Sequence, residues 1–313
     1  MTSLDETTII NIFQNNLSKR FVAEDVELFQ LGKTKIVANT DTLVQSTDIP
    51  SKMSIGDAAR KSVIACTSDF AAKGVKPEYG IISINLPKMS ETKVKEIAKG
   101  FQRASKELGI RIVGGDTNFG KEVVFNVCVF GKAKTIVRRS GAKKGDIIIV
   151  TGPFGYTSVG LDMLLERKRS SKIMSKAIDS VLKPKSRIKF GVNASRYFTS
   201  SMDSSDGLSS TLNEMATQSK KKFVIEKIPC TKEIERFAKR HKTNLKDLVF
   251  NGGEEYEIAF TTHPKNLPQV RKIANTFRVP IIEIGHVELG NGAYLQSGNT
   301  SEKIADKGWK HFR

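Results

Sequence analysis

Acidic residues recur at five widely separated places along this chain of 313 residues, and at four of them the acid stands beside glycine, serine or threonine. Each follows a stretch that reads as a strand or a helix, so we expect the acids at the ends of these elements. The five places are Glu24–Asp25, Asp41, Asp69, Asp116, and Asp203 with Asp206. Carboxylate and hydroxyl oxygens are the ligands that Mg²⁺ prefers, commonly with substrate phosphates. The pattern favours a fold that brings distant acids together at one metal and phosphate site.

The stretch SMDSSDGLSS at 201–210 contains two of these acids three residues apart. Leu208, Leu212 and Met215 repeat at helical spacing directly afterwards, so the acids precede a predicted helix. A serine or aspartate in that position can cap the helix by accepting a free backbone N–H. Capping explains one of the two acids. A metal site explains both.

The remaining pattern alternates strands and helices, which is typical of an α/β or α+β protein. Residues 35–44 read as a strand that ends in a polar turn, and 78–86 as a second strand. Ser90 and Gly109 delimit a predicted helix as its N-cap and the residue after its C-terminus. RIVGG, VVFNVCVFG and IIIVTG read as further strands. The polar connector RRSGAKKGD predicts a boundary between a domain at 1–138 and one at 139–313.

Lysine and arginine total 51 against 33 acidic residues, a net charge of +18. Basic clusters such as Arg167–Arg169 and Lys220–Lys222 are scattered and lack interleaved aromatic residues, which disfavours a nucleic-acid platform. No apolar run approaches the roughly 18 residues of a membrane span, and no secretory signal is evident. Three distant cysteines indicate reduced thiols. We therefore expect a cytoplasmic protein without a membrane partner.

The usual nucleotide motifs are absent. Gly32–Lys33–Thr34 resembles the end of a P-loop, but Glu27 stands where that motif has its first glycine. TGPFGYTSVG has glycines but lacks the following Lys-Ser/Thr, and protein-kinase signatures are missing as well. A nucleotide bound here would lie on a different scaffold.

Seven blocks together resemble the thiamine-monophosphate kinases, members of the superfamily of aminoimidazole ribonucleotide synthetase. They are NTDTLV, TSDFAAKGVKPEYGIISINLP, RIVGGDTNFG, RRSGAKKGD, SMDSSDGLSSTLNEMA, NGGEEYEIAFT and GWKHF. The resemblance implies a two-domain α+β fold, with an N-terminal sheet domain that forms a homodimer and a C-terminal α/β domain. It also implies that ATP and several Mg²⁺ ions bind between the domains and that the substrate is thiamine monophosphate.

The resemblance assigns roles to individual residues. The implied metal ligands are Glu24, Asn39, Thr40, Asp41, Asp69, Asp116, Asp203 and Asp206. The implied nucleotide contacts are Gly115, Asp116, Arg139 and Ser205, and the implied substrate contacts are Asp48, Glu254, Glu255 and Trp309. Among them, Asp69, Asp203 and Arg139 would act on the transferred phosphoryl group.

Three positions depart from the pattern of the family. Ala23–Glu24–Asp25 replaces Gly-Asp-Asp, Asp48 stands where relatives have a histidine that touches substrate, and Glu255 replaces a common aspartate. Two alternatives therefore stay open at this point. One is another ATP-dependent enzyme of the superfamily, of the synthetase or selenophosphate type. The other is a non-catalytic nucleotide-binding paralogue.

Overall fold

The structure, a computed structural model, describes residues 4–17, 23–166 and 172–310. The basic cluster Arg167–Arg169 and the last residues of the GWKHF block lie outside the described residues. No helix of the described part is both long and apolar enough to cross a bilayer.

The first half forms a five-stranded sheet in the order β1-β2-β5-β3-β4. The pair β3 and β4 is parallel, whereas the other neighbours are antiparallel. The elements are α1 (Glu6–Asn16), β1 (Glu27–Leu31), β2 (Thr34–Val44), α2 (Gln45–Asp48), α3 (Ile55–Lys73), β3 (Pro77–Leu86), α4 (Glu91–Leu108), β4 (Arg111–Phe119) and β5 (Val124–Lys132).

The second half forms a seven-stranded mixed sheet in the order β12-β11-β8-β10-β6-β9-β7. Its elements are β6 (Ile147–Val150), α5 (Tyr156–Glu166), α6 (Lys172–Leu182), α7 (Ile188–Ala194), β7 (Phe198–Ser204), α8 (Leu208–Ser219), β8 (Lys222–Ile225), α9 (Lys232–His241), α10 (Leu245–Phe250), β9 (Glu257–Thr262), α11 (Leu267–Phe277), β10 (Ile282–Glu288), β11 (Gly292–Ser297) and β12 (Thr300–Lys303). Short 3₁₀ turns occupy Ser195–Tyr197 and Pro264–Asn266.

Several predicted elements are confirmed. The helix α4 begins after Ser90, whose side chain accepts the backbone N–H of Lys93, and ends before Gly109 with φ +69°. The prediction that β2 ends in a polar turn before Val44 is wrong, because β2 pairs with β5 as far as Val44 opposite Val124.

The two sheets are joined by residues 133–146. We propose that the domain boundary lies in that connector.

The helix α3 packs between the two sheets. Ser54 caps its first turn, and Gly74 ends it in the left-handed conformation with φ +70°. Most of its side chains are buried, since it packs against β2 and β5 of the first sheet and against β7 and β9 of the second. A helix buried from both sides must find partners for its charged residues. Those partners define the candidate site.

Candidate active site

Three carboxylates meet where α3 lies between the sheets. Oxygen atoms of Asp25, Asp69 and Asp203 all lie within 4.8 Å of one another. Asp25 and Asp203 are buried, with 7% and 3% of their surface exposed, and Asp69 is half-buried. These three residues come from the segment before β1, from α3 and from β7. We call this group the acid centre.

Neutral polar groups orient the acid centre. Ser68 Oγ donates to Asp203 Oδ2 at 2.8 Å. The Asn39 amide donates to Asp69 Oδ2 and, at 3.2 Å, to the carbonyl of Cys66. These donors hold the carboxylates of Asp203 and Asp69 in place. A buried cluster of acids needs a bound cation or protons to offset its repulsion.

The pKa values of the acid centre reflect this crowding. Burial, followed by the charges of Asp203 and Asp25, holds the pKa of Asp69 well above its usual range. Burial, with the charge of Asp25, also raises the pKa of Asp203 to about 7, although the hydrogen bond from Ser68 opposes the change. The donor set is all oxygen, which suits a hard divalent ion such as Mg²⁺.

The acids at 24 and 25 have different surroundings. Lys73, whose side chain is fully buried, places its ammonium 2.9 Å from Glu24 Oε2 and 2.8 Å from Asp25 Oδ2, and it also donates to the Ser201 carbonyl at 2.9 Å. Glu24 additionally accepts the backbone N–H of Arg139 at 3.2 Å. Lys73 therefore holds both acids, and Asp25 is the member of the pair that also joins the acid centre. Metal binding by Glu24 stays a prediction.

Arg139 lies at the edge of the same cluster. Its Nε donates to Asp25 Oδ1 at 2.7 Å, and a terminal nitrogen approaches Glu214 at 3.5 Å. The Arg139 side chain is 17% exposed, so part of it remains accessible to solvent. A planar guanidinium suits bidentate contact with phosphate.

A second acidic group extends from Asp41 toward the loop after β7. Burial raises the pKa of Asp41 to about 6, and the charges of Asp48, Asp206 and Glu254 add to the rise against a hydrogen bond from Thr42 N–H. Asp41 also raises the pKa of Asp69, so the two acidic groups interact.

The loop after β7 contains Ser205 and Asp206, and Trp309 near the C-terminus lies against it. The Asp206 carbonyl accepts Trp309 N–H at 2.8 Å, and the Ser205 carbonyl accepts Glu254 N–H at 2.6 Å. Asp203 lies inside β7, and α8 begins after Gly207 without a side-chain cap. The interpretation of Asp203 as the cap of α8 is therefore wrong.

The predicted phosphate contacts Gly115 and Asp116 lie elsewhere in the single chain. Asp116 is opposite Ser83, Ser83 is opposite Asn126, and Asn126 is opposite Thr42. Directly opposite residues share a face of a sheet, so Asp116 lies on the face away from Asp41. Three strand spacings separate it from β2, about 14 Å. One chain does not bring Asp116 to the acid centre.

Thr40 also lies on the outer face. Its hydroxyl donates to Asn126 Oδ1 at 3.3 Å, and Asn126 in turn donates to the Thr42 hydroxyl at 2.6 Å. Asn39 and Asp41 alternate with Thr40 along β2 and therefore face α3. Within the NTDT block, the single chain thus directs Asn39 and Asp41 to the site and Thr40 away from it.

The neighbouring residues Glu254 and Glu255 point to different places. Glu254 forms an ion pair with Lys61 of α3 near Asp48, on the side of the acidic groups. Glu255 accepts the backbone N–H of Gly155 at 2.7 Å and lines a separate cavity of about 1120 Å³ that also contains Tyr156 and Arg187. The geometry thus favours Glu254 over Glu255 as a contact at the acid-lined site.

Glu255 should make stability depend on pH. Burial raises its pKa from an ordinary value of 4.5 to about 7. Because the folded state binds this proton more tightly, the free energy of unfolding should fall as the pH rises from about 5 to about 8. We expect Glu255→Gln to be more stable relative to the wild type at pH 8 than at pH 5, measured by thermal unfolding. Glu91→Gln, exposed on α4, is the control, and parallel profiles for Glu255→Gln and wild type would refute the expectation.

Sequence reasoning passed over three residues of the site. The sequence pattern includes Asp25 in its block but assigns the metal role to Glu24, and it does not point to Lys61 or Lys73. The available signal was α3 itself. Both lysines stand among small and apolar residues in ARKSVIACTSDFAAKG, and a charged residue in such a helix needs a buried partner.

Comparison with known proteins identifies the class. Residues 23–133 match the N-terminal domain, and residues 143–297 the C-terminal domain, of the AIR synthase related proteins. These matches, with two mixed sheets and carboxylates gathered between them, place the chain among the AIR synthase related proteins.

Closer relatives define the family within this class. The chain is 59% identical to the thiamine-monophosphate kinase of Nitrosopumilus maritimus, over 100% of both chains. It is 32% identical to that of Pyrococcus horikoshii, over 100% of this chain and 98% of the relative. A solved structure of AaThiL complexed with AMPPCP and TMP superposes with a TM-score of 0.87 at 28% identity, covering 99% of this chain and 97% of that one. The chain belongs to the thiamine-monophosphate kinase family, which confirms the resemblance seen in the sequence.

Proposed function

We propose that this protein transfers the γ-phosphoryl group of ATP to thiamine monophosphate, giving thiamine diphosphate and ADP. The observation that carries the proposal is the meeting of Asp25, Asp69 and Asp203 between the sheets of a member of this family. The related AaThiL structure with the ATP analogue AMPPCP and TMP supports both substrates.

The residues present fit Mg²⁺. Three carboxylates within 4.8 Å of one another supply hard oxygen ligands and an excess of negative charge. Asp25, Asp69 and Asp203 would hold the ion, with Asp41 and Asp206 as further predicted ligands. Bound there, Mg²⁺ would offset the negative charge that phosphoryl transfer spreads over the phosphate oxygens.

The side chains of this protein would mainly position the reactants. The acceptor is a phosphate monoester, whose second pKa near 6 leaves an anionic oxygen at neutral pH, so no strong general base is needed. Arg139, held by Asp25 at the edge of the acid centre, would turn its guanidinium to a nucleotide phosphate. Ser205 would contact the nucleotide, while Asp48, Glu254 and Trp309 would contact thiamine monophosphate. Of the pair at 254 and 255, Glu255 stays the less favoured substrate contact.

A homodimer would bring Gly115 and Asp116 to the site. The outer face of the first sheet carries exposed apolar residues on neighbouring strands, among them Phe29, Leu31, Tyr79 and Ile81, which are 44%, 65%, 42% and 41% exposed. Burying such a face against a second copy is favourable in proportion to its apolar area. Because Asp116 lies on this same face, the partner subunit could supply it. We therefore propose a dimer that joins the two first sheets, in the cytoplasm.

Substitution on this face tests the dimer. We expect Ile81→Asp to give a monomer and to lose activity, because a charge would be buried at the contact and Asp116 would no longer reach a second chain. Sedimentation equilibrium measures the mass. The control is Val94→Asp, an exposed position on the helical side of the same domain. A dimeric Ile81→Asp protein, or a wild-type monomer with full activity, would contradict the arrangement.

Product analysis tests the reaction. Incubation of the protein with ATP, Mg²⁺ and thiamine monophosphate should yield thiamine diphosphate and ADP in equal amounts. Consumption of ATP with a different acceptor would favour another enzyme of the superfamily. Binding of ATP without turnover would favour a non-catalytic paralogue.

A further inference from the structure

Lys61 is a fully buried lysine of α3 that lies beside Asp48 and Glu254. Its ammonium donates to the Asp48 carbonyl at 3.1 Å and forms an ion pair with Glu254. The lysine side chain is 1% exposed, and that of Glu254 is 36% exposed. An ammonium has three N–H donors, of which these contacts account for two. The carboxylate of Glu254 therefore lies between a buried cation and solvent.

The place of Lys61 on α3 matters for its role. It precedes Asp69 by eight residues, which corresponds to about 12 Å along the helix axis. Asp41 on β2 interacts with both regions, since Asp48 and Glu254 raise its pKa and it raises the pKa of Asp69. Asp41 thus lies within electrostatic range of both the acid centre and Glu254, the ion-pair partner of Lys61.

Glu254 is held in an unusual backbone conformation. Its φ is +62°, and that of Tyr256 is +50°. A hydrogen bond of 2.6 Å from Glu254 N–H to the Ser205 carbonyl fixes this loop. Non-glycine residues in the left-handed region cluster at ligand sites, where surrounding contacts maintain the strain. The carboxylate is therefore held over the ammonium by its backbone as well as by charge.

Carboxylate and phosphate oxygens accept charge-assisted hydrogen bonds from the same donors. We propose that Lys61 contacts the acceptor phosphate of thiamine monophosphate and that Glu254 takes the place of that phosphate in the unliganded protein. The ammonium then orients the acceptor oxygen, and no bond to the lysine forms or breaks. This assignment rests on the proposed function and adds a residue to it.

Ligand pairs and variant pairs together isolate the contact. Thiamine and thiamine monophosphate differ by the phosphate alone. Glu254→Gln and the double variant Lys61→Met/Glu254→Gln differ by the ammonium alone, and neither leaves the Glu254 carboxylate without its cation. Calorimetry at fixed Mg²⁺ without ATP gives the affinity of each protein for each ligand.

We expect the wild type and Glu254→Gln to prefer thiamine monophosphate over thiamine. Compared with Glu254→Gln, the double variant should lose about tenfold or more of that preference, which corresponds to the contribution of one hydrogen bond to a charged group. Its affinity for thiamine should equal that of Glu254→Gln. An unchanged preference would overturn the assignment. Equally weakened binding of both ligands would also overturn it, since Lys61 would then only support the residues around it.

The outcomes separate this inference from the proposed function. If the wild type neither binds nor converts thiamine monophosphate, both fail. If the wild type converts it but the preference survives in the double variant, only the role of Lys61 fails. Circular dichroism checks folding, and Lys61→Gln/Glu254→Gln serves with the same expectations if the methionine variant does not fold.

Discussion

Asp69→Asn is expected to lose about a thousandfold or more of turnover while the protein without metal becomes more stable. Both effects have one cause, because Asp69 stands among Asp25, Asp41 and Asp203. With Mg²⁺ absent, the carboxylates repel one another, and a neutral amide of the same size relieves that repulsion. Turnover requires Mg²⁺, and the amide of asparagine removes one negative charge from the ligands of that ion. A loss of about 4 kcal/mol in transition-state stabilisation corresponds to a thousandfold lower rate.

Steady-state assays at saturating Mg²⁺ and thermal unfolding with and without Mg²⁺ measure the two effects. The midpoint without metal should rise in the variant, and added Mg²⁺ should raise it further by less than in the wild type. Asp57→Asn is the matched control, since Asp57 lies on the same helix and pairs with Arg103, whose side chain is 53% exposed. Near-normal turnover of Asp69→Asn would remove Asp69 from the metal site. A lowered midpoint without metal would show that the acid centre is not under repulsion.

Lys73→Met should lower the free energy of unfolding by about 3–5 kcal/mol, the cost of removing one partner from a buried ion pair. The fully buried Lys73 ammonium contacts both Glu24 and Asp25. Methionine has similar length but no charge, so Glu24 would lose its nearest cation, and Asp25 would lose one of two neighbouring cations, the other being Arg139. Chemical unfolding followed by circular dichroism measures the change.

Two comparisons identify charge as the cause. Lys95→Met removes a lysine that is 68% exposed and paired with Glu91, and an exposed pair of this kind contributes only about 0.3–0.5 kcal/mol. Lys73→Met/Glu24→Gln should recover part of the lost stability, because one unpaired carboxylate is removed as well. A loss below about 1 kcal/mol for Lys73→Met would mean that its contacts contribute little.

The local elements could be read from the sequence because short-range rules decide them. Ser90 and Gly109 delimit α4 through capping and through the left-handed conformation that glycine adopts freely. The expectation that acids stand at the ends of elements was wrong for Asp41, Asp69 and Asp116, which lie inside β2, α3 and β4. Strand pairing and burial extend these elements past polar residues, and such long-range contacts leave no local signal.

The sequence by itself determined the family, through seven blocks in order, and the kind of chemistry, through acids beside small and hydroxyl residues. Only the tertiary structure decided which acids meet. It selected Asp25 over Glu24, because Asp25 places a carboxylate oxygen within 4.8 Å of those of Asp69 and Asp203. It also separated Glu254 from Glu255, although they are neighbours in the chain. It also placed Asp116 on the opposite face from Asp41. These outcomes depend on packing α3 between two sheets, and the burial that drives this packing joins residues far apart in sequence without fixing their partners locally.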